Sequence, residues 1–291
     1  MTDRGRQVAR GMDAADIERK VRSGERLSRE DGIALYGCDD LAWLGGLAHE
    51  VRTRHSGDVA YFAARCPQDV TDLQEAVALA PRWAADGVTE LRLGAGTEVD
   101  GSTLAEGVRV LRAALPEGLA LTAYALRYGG AGAPVDPVAL VEQLLRLREL
   151  QDETGGFHVA VPLLQDGPQG ATGAEVLKAF AVARLLLDNV PHLAADWALH
   201  TEQTAQLALQ HGADELTGRV VGDDVDDAVV EVVDDGSAAE QDAGALTRED
   251  LLAAIRDAGF RPVERDAHHG AVRSHEGPDP QRRESPQPMR V

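Results

Sequence analysis

Thiols and imidazoles are the groups with which this chain could do chemistry, and their spacing limits what that chemistry is. The 291 residues hold two cysteines and nine histidines. Cys38 and Cys66 lie far apart, without the close spacing of a zinc or iron–sulfur motif. A lone thiol needs a neighbour that stabilises its thiolate before it acts as nucleophile or metal ligand. No such neighbour is evident in sequence, so Cys66 reads first as an ordinary small residue and second as a nucleophile or lone ligand. Residues 94–99 (GAGTEV) follow a strand-like run and precede a helix, which invites a dinucleotide reading. The third glycine of that fingerprint is missing, because position 99 is valine. Gly94 and Gly96 therefore read as a tight βα turn, with contact to a cofactor or substrate as the other reading. His200 is expected at the C-terminal end of a strand, where barrel sites lie, and Trp197 just inside it, as core or stacking platform. Asn189 and His192 stand in a DNVPH run whose Asn and Pro suit a turn. His268 and His269 have no spaced partners, and the Asp-rich residues 223–227 and 234–235 lack calcium-loop spacing. Neither a G-x-S-x-G nor a Walker A pattern occurs.

The elements that must position these groups change rhythm once along the chain. Residues 1–57 read as a helical lead-in, with Ser28 and Asp31 forming a capping box and Leu41, Leu44, Leu47, Ala48 and Val51 at helical spacing. From residue 58 to 267, short apolar runs beginning at 59, 90, 119, 157 and 193 are each followed by an amphipathic segment with its own start signal. Those signals are Thr71 with Gln74, Thr103 with Glu106, Asp136 with Pro137, Thr172 with Glu175, and Thr201. A βα period of about 30–40 residues predicts an α/β fold with parallel strands. The fold expected is an incomplete or shortened (β/α) TIM-type barrel with an N-terminal helical extension. Residues 268–291 are His-, Gly-, Pro-, Arg- and Ser-rich without apolar period, and read as a disordered tail.

Charge and hydropathy exclude several classes of partner. With 49 acidic against 29 basic residues the net charge is −20, which repels phosphate backbones and argues against nucleic acid. No run approaches the roughly 18 apolar residues of a membrane span, and the arginine-bearing start has no apolar stretch after it. Membrane and secretory roles are not expected; a reducing cytoplasm suits two unpaired cysteines.

Several blocks, taken in order, resemble one enzyme family. They are residues 23–32 (SGERLSREDG), 147–157 (LRELQDETGGF), 183–192 (ARLLLDNVPH), 212–221 (GADELTGRVV) and 262–266 (PVERD). Together they resemble aminofutalosine synthase, a radical S-adenosylmethionine enzyme of the futalosine route to menaquinone. The resemblance implies a β/α barrel whose first strand is followed by C-x₃-C-x₂-C, three thiolates holding a [4Fe–4S] cluster that chelates S-adenosylmethionine. It also implies that a Gly-rich turn such as the one at Gly94 and Gly96 lies near the amino-acid part of that cofactor.

Here residues 65–69 (RCPQD) run straight on toward a helix, and Cys66 stands alone. Residues 127–134 (RYGGAGAP) stand where the family places further βα units. The chain therefore reads as a cluster-less, shortened paralogue, with no cofactor expected and no metal ligand or catalytic residue assigned. The ligand contacts expected are Arg65, Cys66, Gly94, Gly96, Asn189, His192, Trp197 and His200. The partners expected are a small-molecule ligand or a related menaquinone-pathway enzyme. Two other readings stay open: an enzyme of altered, non-radical chemistry using His200, Arg65 and Cys66, and a subunit that pairs with a genuine radical enzyme.

Overall fold

A computed structural model of the chain describes residues 14–98, 103–130, 134–165, 167–221 and 245–278. Three helices come first: α1 (Ala14–Ser23), α2 (Arg29–Tyr36) and α3 (Leu41–Ser56). The Ser28–Asp31 capping box forms as expected, each side chain accepting from the other's backbone N–H. Leu35, Leu44 and Ala48 are fully buried, so these helices pack on the domain beyond them. Arg26 ties the lead-in to the later chain through Asp152 and Asp188, at 2.6 and 2.7 Å.

Beyond them the chain alternates. It runs β1 (Val59–Ala63), β2 (Gln68–Asp72), α4 (Leu73–Ala85), β3 (Glu90–Glu98), α5 (Leu104–Ala114), β4 (Ala120–Tyr128) and α6 (Pro137–Thr154). Next come β5 (Val159–Leu164), α7 (Gly173–Leu186), β6 (His192–Asp196), α8 (Trp197–His200), α9 (Glu202–Ala208) and β7 (Glu215–Thr217). A small parallel pair, β8 (Val220–Val221) with β9 (Leu246–Thr247), precedes α10 (Arg248–Asp257), β10 (Arg261–Arg265) and β11 (Ala271–Ser274). No described helix is long and apolar enough to cross a membrane.

Nine strands share one sheet in the order β11-β10-β1-β7-β6-β5-β4-β3-β2, all parallel except β11. Pleating sends alternate side chains to opposite faces. Leu91, Leu93, Tyr124, Leu126, Leu193 and Leu216 join the large core under the helices. Ala123, Ala125, Val159, Val161, Leu163 and Ala194 form a second apolar cluster on the other face, with Leu199 against it. The sheet curls around that second face. Arg265 on β10 bonds directly to Glu90 on β3, although five strands lie between them. In a flat sheet six spacings of about 4.8 Å would hold those strands ~29 Å apart. The architecture is the shortened α/β barrel expected, a half-barrel sheet with helices outside. Among the described residues no ladder joins β2 to β10 or β11, so its edges stay open.

Four expectations need correction. The segment before α4 is not only a helix start: Gln68–Asp72 forms β2 beside β3, and Asp72 rather than Thr71 caps α4. The apolar run from Leu193 does not stay extended to Leu199, because Asp196 accepts from the backbone of Ala198 and Leu199 and turns the chain into α8. Strand β3 continues through Gly94 and Gly96 to Glu98, so these glycines lie in a strand rather than in the turn after it. A tail without structure from 268 is also incorrect as far as 278, since β11 pairs antiparallel with β10. The Asp-rich residues 223–235 and positions 279–291 lie outside the described residues.

Candidate site on the concave face of the sheet

Two polar groups of residues face the concavity. The first sits at the C-terminal ends of the strands. The connection from β1 to β2 is four residues long, 64–67, and carries Cys66. Arg92 of β3 grips Asp69 of β2 with two hydrogen bonds, of 2.6 and 2.9 Å. Asp196 ends β6 close by, and burial raises its carboxyl above the ordinary range. Cys66 lies among Asp196, Arg92 and Asp69, with the Gly218 backbone in hydrogen-bonding reach. Cys66 is open to solvent on one side, yet desolvation of the thiol by the packed backbone and then Asp196 push it up, which disfavours the thiolate.

A second, deeper layer crosses the sheet from edge to edge. The Arg265 guanidinium, 2% exposed, holds Glu215 of β7 through both carboxylate oxygens, at 3.1 and 2.5 Å, and also bonds Glu90. Thr122 Oγ1 donates to Glu90 at 2.9 Å. Burial alone would raise Glu215, but Arg265 and His269 outweigh it and hold the carboxyl down to about 2. Glu90 keeps the opposite sign, its carboxyl raised by burial despite Arg265. One residue before Glu215, at the helix side of the strand end, Asp214 accepts from Arg184 at 2.9 Å, Ser56 at 2.5 Å, the Leu193 backbone at 2.8 Å and His192 Nδ1 at 2.9 Å. His269 Nε2 donates to Glu215 at 2.8 Å, and its ring stacks on that of His192 with centroids 3.8 Å apart and planes 5° apart.

The residues singled out in sequence scatter across these surroundings. Cys66 lies in the upper group and His192 in the deeper layer. Arg65 is drawn aside instead, its guanidinium donating to the Gly87 carbonyl at 3.1 Å. Asn189 fastens the turn before β6 to α6, donating to the Arg148 carbonyl and to Asp152, each at 2.8 Å. Trp197 is 4% exposed and packs so closely on Gly218 that a Cβ there would lie 2.3 Å from its ring. His200 is 2% exposed on the helix side. Its Nδ1–H donates to the Asp196 carbonyl at 2.8 Å, leaving Nε2 to accept from the Tyr128 hydroxyl at 2.9 Å. Burial holds that ring neutral, lowering it to about 4.

Sequence reasoning missed Asp69, Arg92, Asp196, Glu90, Glu215 and Arg265. Asp196 and Glu215 are the lone charges of their strands, the kind of anomaly that marks a paired interior group, whereas Asp69, Glu90, Arg92 and Arg265 share their strands with other charges. His269 was passed over because its partner, Glu215, is near only in space.

The donor set bears directly on the cluster that the resemblance implies. Two thiols are fewer than the three thiolates it takes, and Cys38 is buried at the α2–α3 junction, its Sγ 3.8 Å from the Asp40 carbonyl. Among the described residues no three His, Cys, Asp or Glu side chains are placed to hold a metal. The residues present do not fit a [4Fe–4S] cluster.

Comparison with known proteins bears on the same question. The family model for the CofH/MqnC C-terminal region matches residues 162–276. The aminodeoxyfutalosine synthase of Streptomyces coelicolor is 39% identical over 389 residues, covering 95% of this chain and 98% of that protein. The enzyme of the same name from Thermus thermophilus is 29% identical over 363 residues, covering 88% and 95%. Among solved structures, the [FeFe]-hydrogenase maturase HydG superposes with a TM-score of 0.56 at 12% identity, covering 92% of this chain and 80% of that one, a likeness of fold alone. The alignment to the Streptomyces protein has 389 positions against 291 residues here, so at least 98 of them have no residue in this chain. Both proteins are covered almost end to end, which puts the missing positions inside the chain. With a relative this similar over nearly its whole length, the chain belongs to the aminodeoxyfutalosine synthase family of radical S-adenosylmethionine proteins.

Proposed function

We propose that this chain is a family member without radical chemistry, acting by binding a small-molecule ligand or a related enzyme of menaquinone biosynthesis. One observation carries the reading: the connection after β1 is four residues long and offers a single thiol, Cys66, where the family holds its cluster. That thiol is pushed up rather than down, the reverse of what a metal ligand or nucleophile needs. The alternative of altered acid–base chemistry finds little support, because Arg65 is spent on the Gly87 carbonyl and His200 is locked between Tyr128 and Asp196. What remains is a curled shell with an apolar patch and a paired polar layer on its concave side, which suits holding a molecule better than transforming it.

Anaerobic reconstitution with iron and sulfide tests the reading. The expected outcome is no iron retained after desalting, no visible charge-transfer absorbance and no consumption of S-adenosylmethionine under a strong reductant. Four irons per chain, or reductant-dependent loss of S-adenosylmethionine, would overturn it.

A further inference from the structure

We propose that the turn at residues 266–270 is a proton-sensitive latch: neutral His269 seats the turn and β11 at the edge of the concave face, and protonated His269 releases them, opening that face to the ligand that the proposed function calls for. The turn is built to aim one ring. Asp266 accepts from the backbone N–H of His268 and Gly270, both at 2.8 Å, and its own N–H donates to the Gly270 carbonyl at 2.9 Å. This closure holds His269 at φ +59°, a left-handed conformation uncommon for residues other than glycine. Gly270 is required there, because a Cβ would lie 2.6 Å from the Asp266 carboxylate.

The ring so aimed is the buried anchor of an exposed segment. The His269 side chain is 4% exposed, whereas every residue of β11 beyond it is exposed and paired on one side only. The other fastenings of this segment are the β10–β11 ladder, Arg261 to Ser274, Arg256 to the Glu276 carbonyl, and His275, whose N–H donates to the Pro262 carbonyl and whose ring lies against Phe62.

The surroundings accept the ring only without an added proton. Its Nε2 sits on Glu215, so that nitrogen carries the hydrogen of the neutral form and Nδ1 carries the lone pair. Nδ1 is buried with no hydrogen-bond partner, so a proton added there becomes a buried N–H without an acceptor. The carboxylates near the ring are already engaged: Glu90 from β3 and Glu215 from β7 share Arg265 from β10, and Asp214 pairs with Arg184 from α7, with Arg52 from α3 near it, so Glu215 supplies the one strong pull on the ring. The other titratable groups around the ring are Tyr61 from β1, His192 from β6, His158 before β5, and His268 and Asp266 in the turn itself. His55 from α3 faces His192, and Arg112 from α5 faces His158. Burial, with His192 and Arg265 adding to it, lowers His269 below the ordinary histidine value against the pull of Glu215. The sign follows: the latch holds above about pH 6.5 and weakens as pH falls below it, because the released ring takes up a proton that the seated ring refuses.

Hydrogen exchange on the full chain tests this at pH 7.5 and 5.5, corrected for the pH dependence of chemical exchange. For one histidine titrating near 6.5 when released, protection of residues 266–276 should fall about ten-fold over that interval, while β4 and β5 keep theirs. His269→Gln keeps a donor for Glu215 without a titratable ring, and its protection should not change with pH. His268→Gln, one residue away and exposed, should respond as the natural chain does and decides the matter if the first variant does not fold. Unchanged protection in the natural chain, a persistent response in His269→Gln, loss of the response in His268→Gln, or parallel loss in β4 and β5 would each overturn the latch.

Discussion

Arg265→Met removes the cation that spans the curled sheet, and the structure says how much should follow. The guanidinium is 2% exposed and neutralises two buried carboxylates, Glu215 and Glu90. Breaking a buried pair by deleting one partner costs about 3–5 kcal/mol, because the other charge is left in a medium that cannot solvate it. The two carboxylates do not each contribute that amount. Burial already raises Glu90, so it takes a proton readily and keeps its bond from Thr122. Glu215 keeps His269 and supplies most of the loss. For a domain of this size the result is a fall in Tm of roughly 6–20 °C.

The effect must also depend on pH in one direction. In the natural chain Glu215 is held at about 2, below its ordinary range, so its contribution is present above about pH 4.5 and lost only as pH falls through 2. Without Arg265 that carboxyl rises, and the penalty shrinks between pH 7 and pH 5 as it takes up a proton. Urea unfolding followed by circular dichroism at the two pH values measures both quantities. Arg265→Met with Glu215→Leu should recover most of the lost stability, since apolar replacement of a whole buried pair is often neutral or favourable. A single-variant loss under about 1 kcal/mol, or no recovery in the double variant, would refute the claim that charge holds the curl.

Two further predictions concern residues that the sequence singled out. Burial lowers His200 to about 4, so its contribution is present above about pH 6.5 and is lost as pH falls from there toward 4, by up to about 3 kcal/mol. His200→Gln should flatten that acid limb in urea midpoints taken between pH 7 and 4.5; parallel curves for the two proteins would show that His200 does not titrate there. Cys66 is exposed, but its thiol is raised by desolvation and by Asp196, so it should alkylate with iodoacetamide at pH 8 more slowly in the folded chain than in urea through its smaller thiolate fraction. Peptide mass spectrometry separates it from Cys38, and equal or faster labelling of the folded chain would contradict the assigned surroundings.

Several local signals in which a side chain acts on its own backbone were legible in sequence, though Asp72 rather than Thr71 proved to cap α4. The Ser28–Asp31 and Thr172–Glu175 capping boxes and the Asp136–Pro137 start all formed where read. Strand β2 escaped because only Val70 of its five residues is buried, so the run has no apolar alternation to notice. The end of β6 escaped because Asp196 interrupts an apolar run with a cap, and hydropathy alone does not register that change of backbone direction. Which strands pair was beyond reach altogether: β1 sits between β10 and β7, joined to residues about 150 and 200 positions away. The deeper layer shares that limit, since Arg265 finds Glu90 across 175 residues of chain.

The same long-range pairing explains how a chain with so short a β1–β2 connection holds a barrel-like curve. A closed barrel is held by the ladder between its first and last strands. Here no such ladder exists among the described residues, and a side-chain layer crosses the gap instead, from Arg265 on β10 to Glu90 on β3, with Glu215 between them in the sheet order. None of those residues belongs to the connection at 64–67, where the family carries its thiolates. The groups that keep the shape are therefore separate from the position that would carry the chemistry, and changes in that loop leave the curl its own support. The deep layer is accordingly where substitutions should unfold the protein, and the loop around Cys66 is where they should be tolerated.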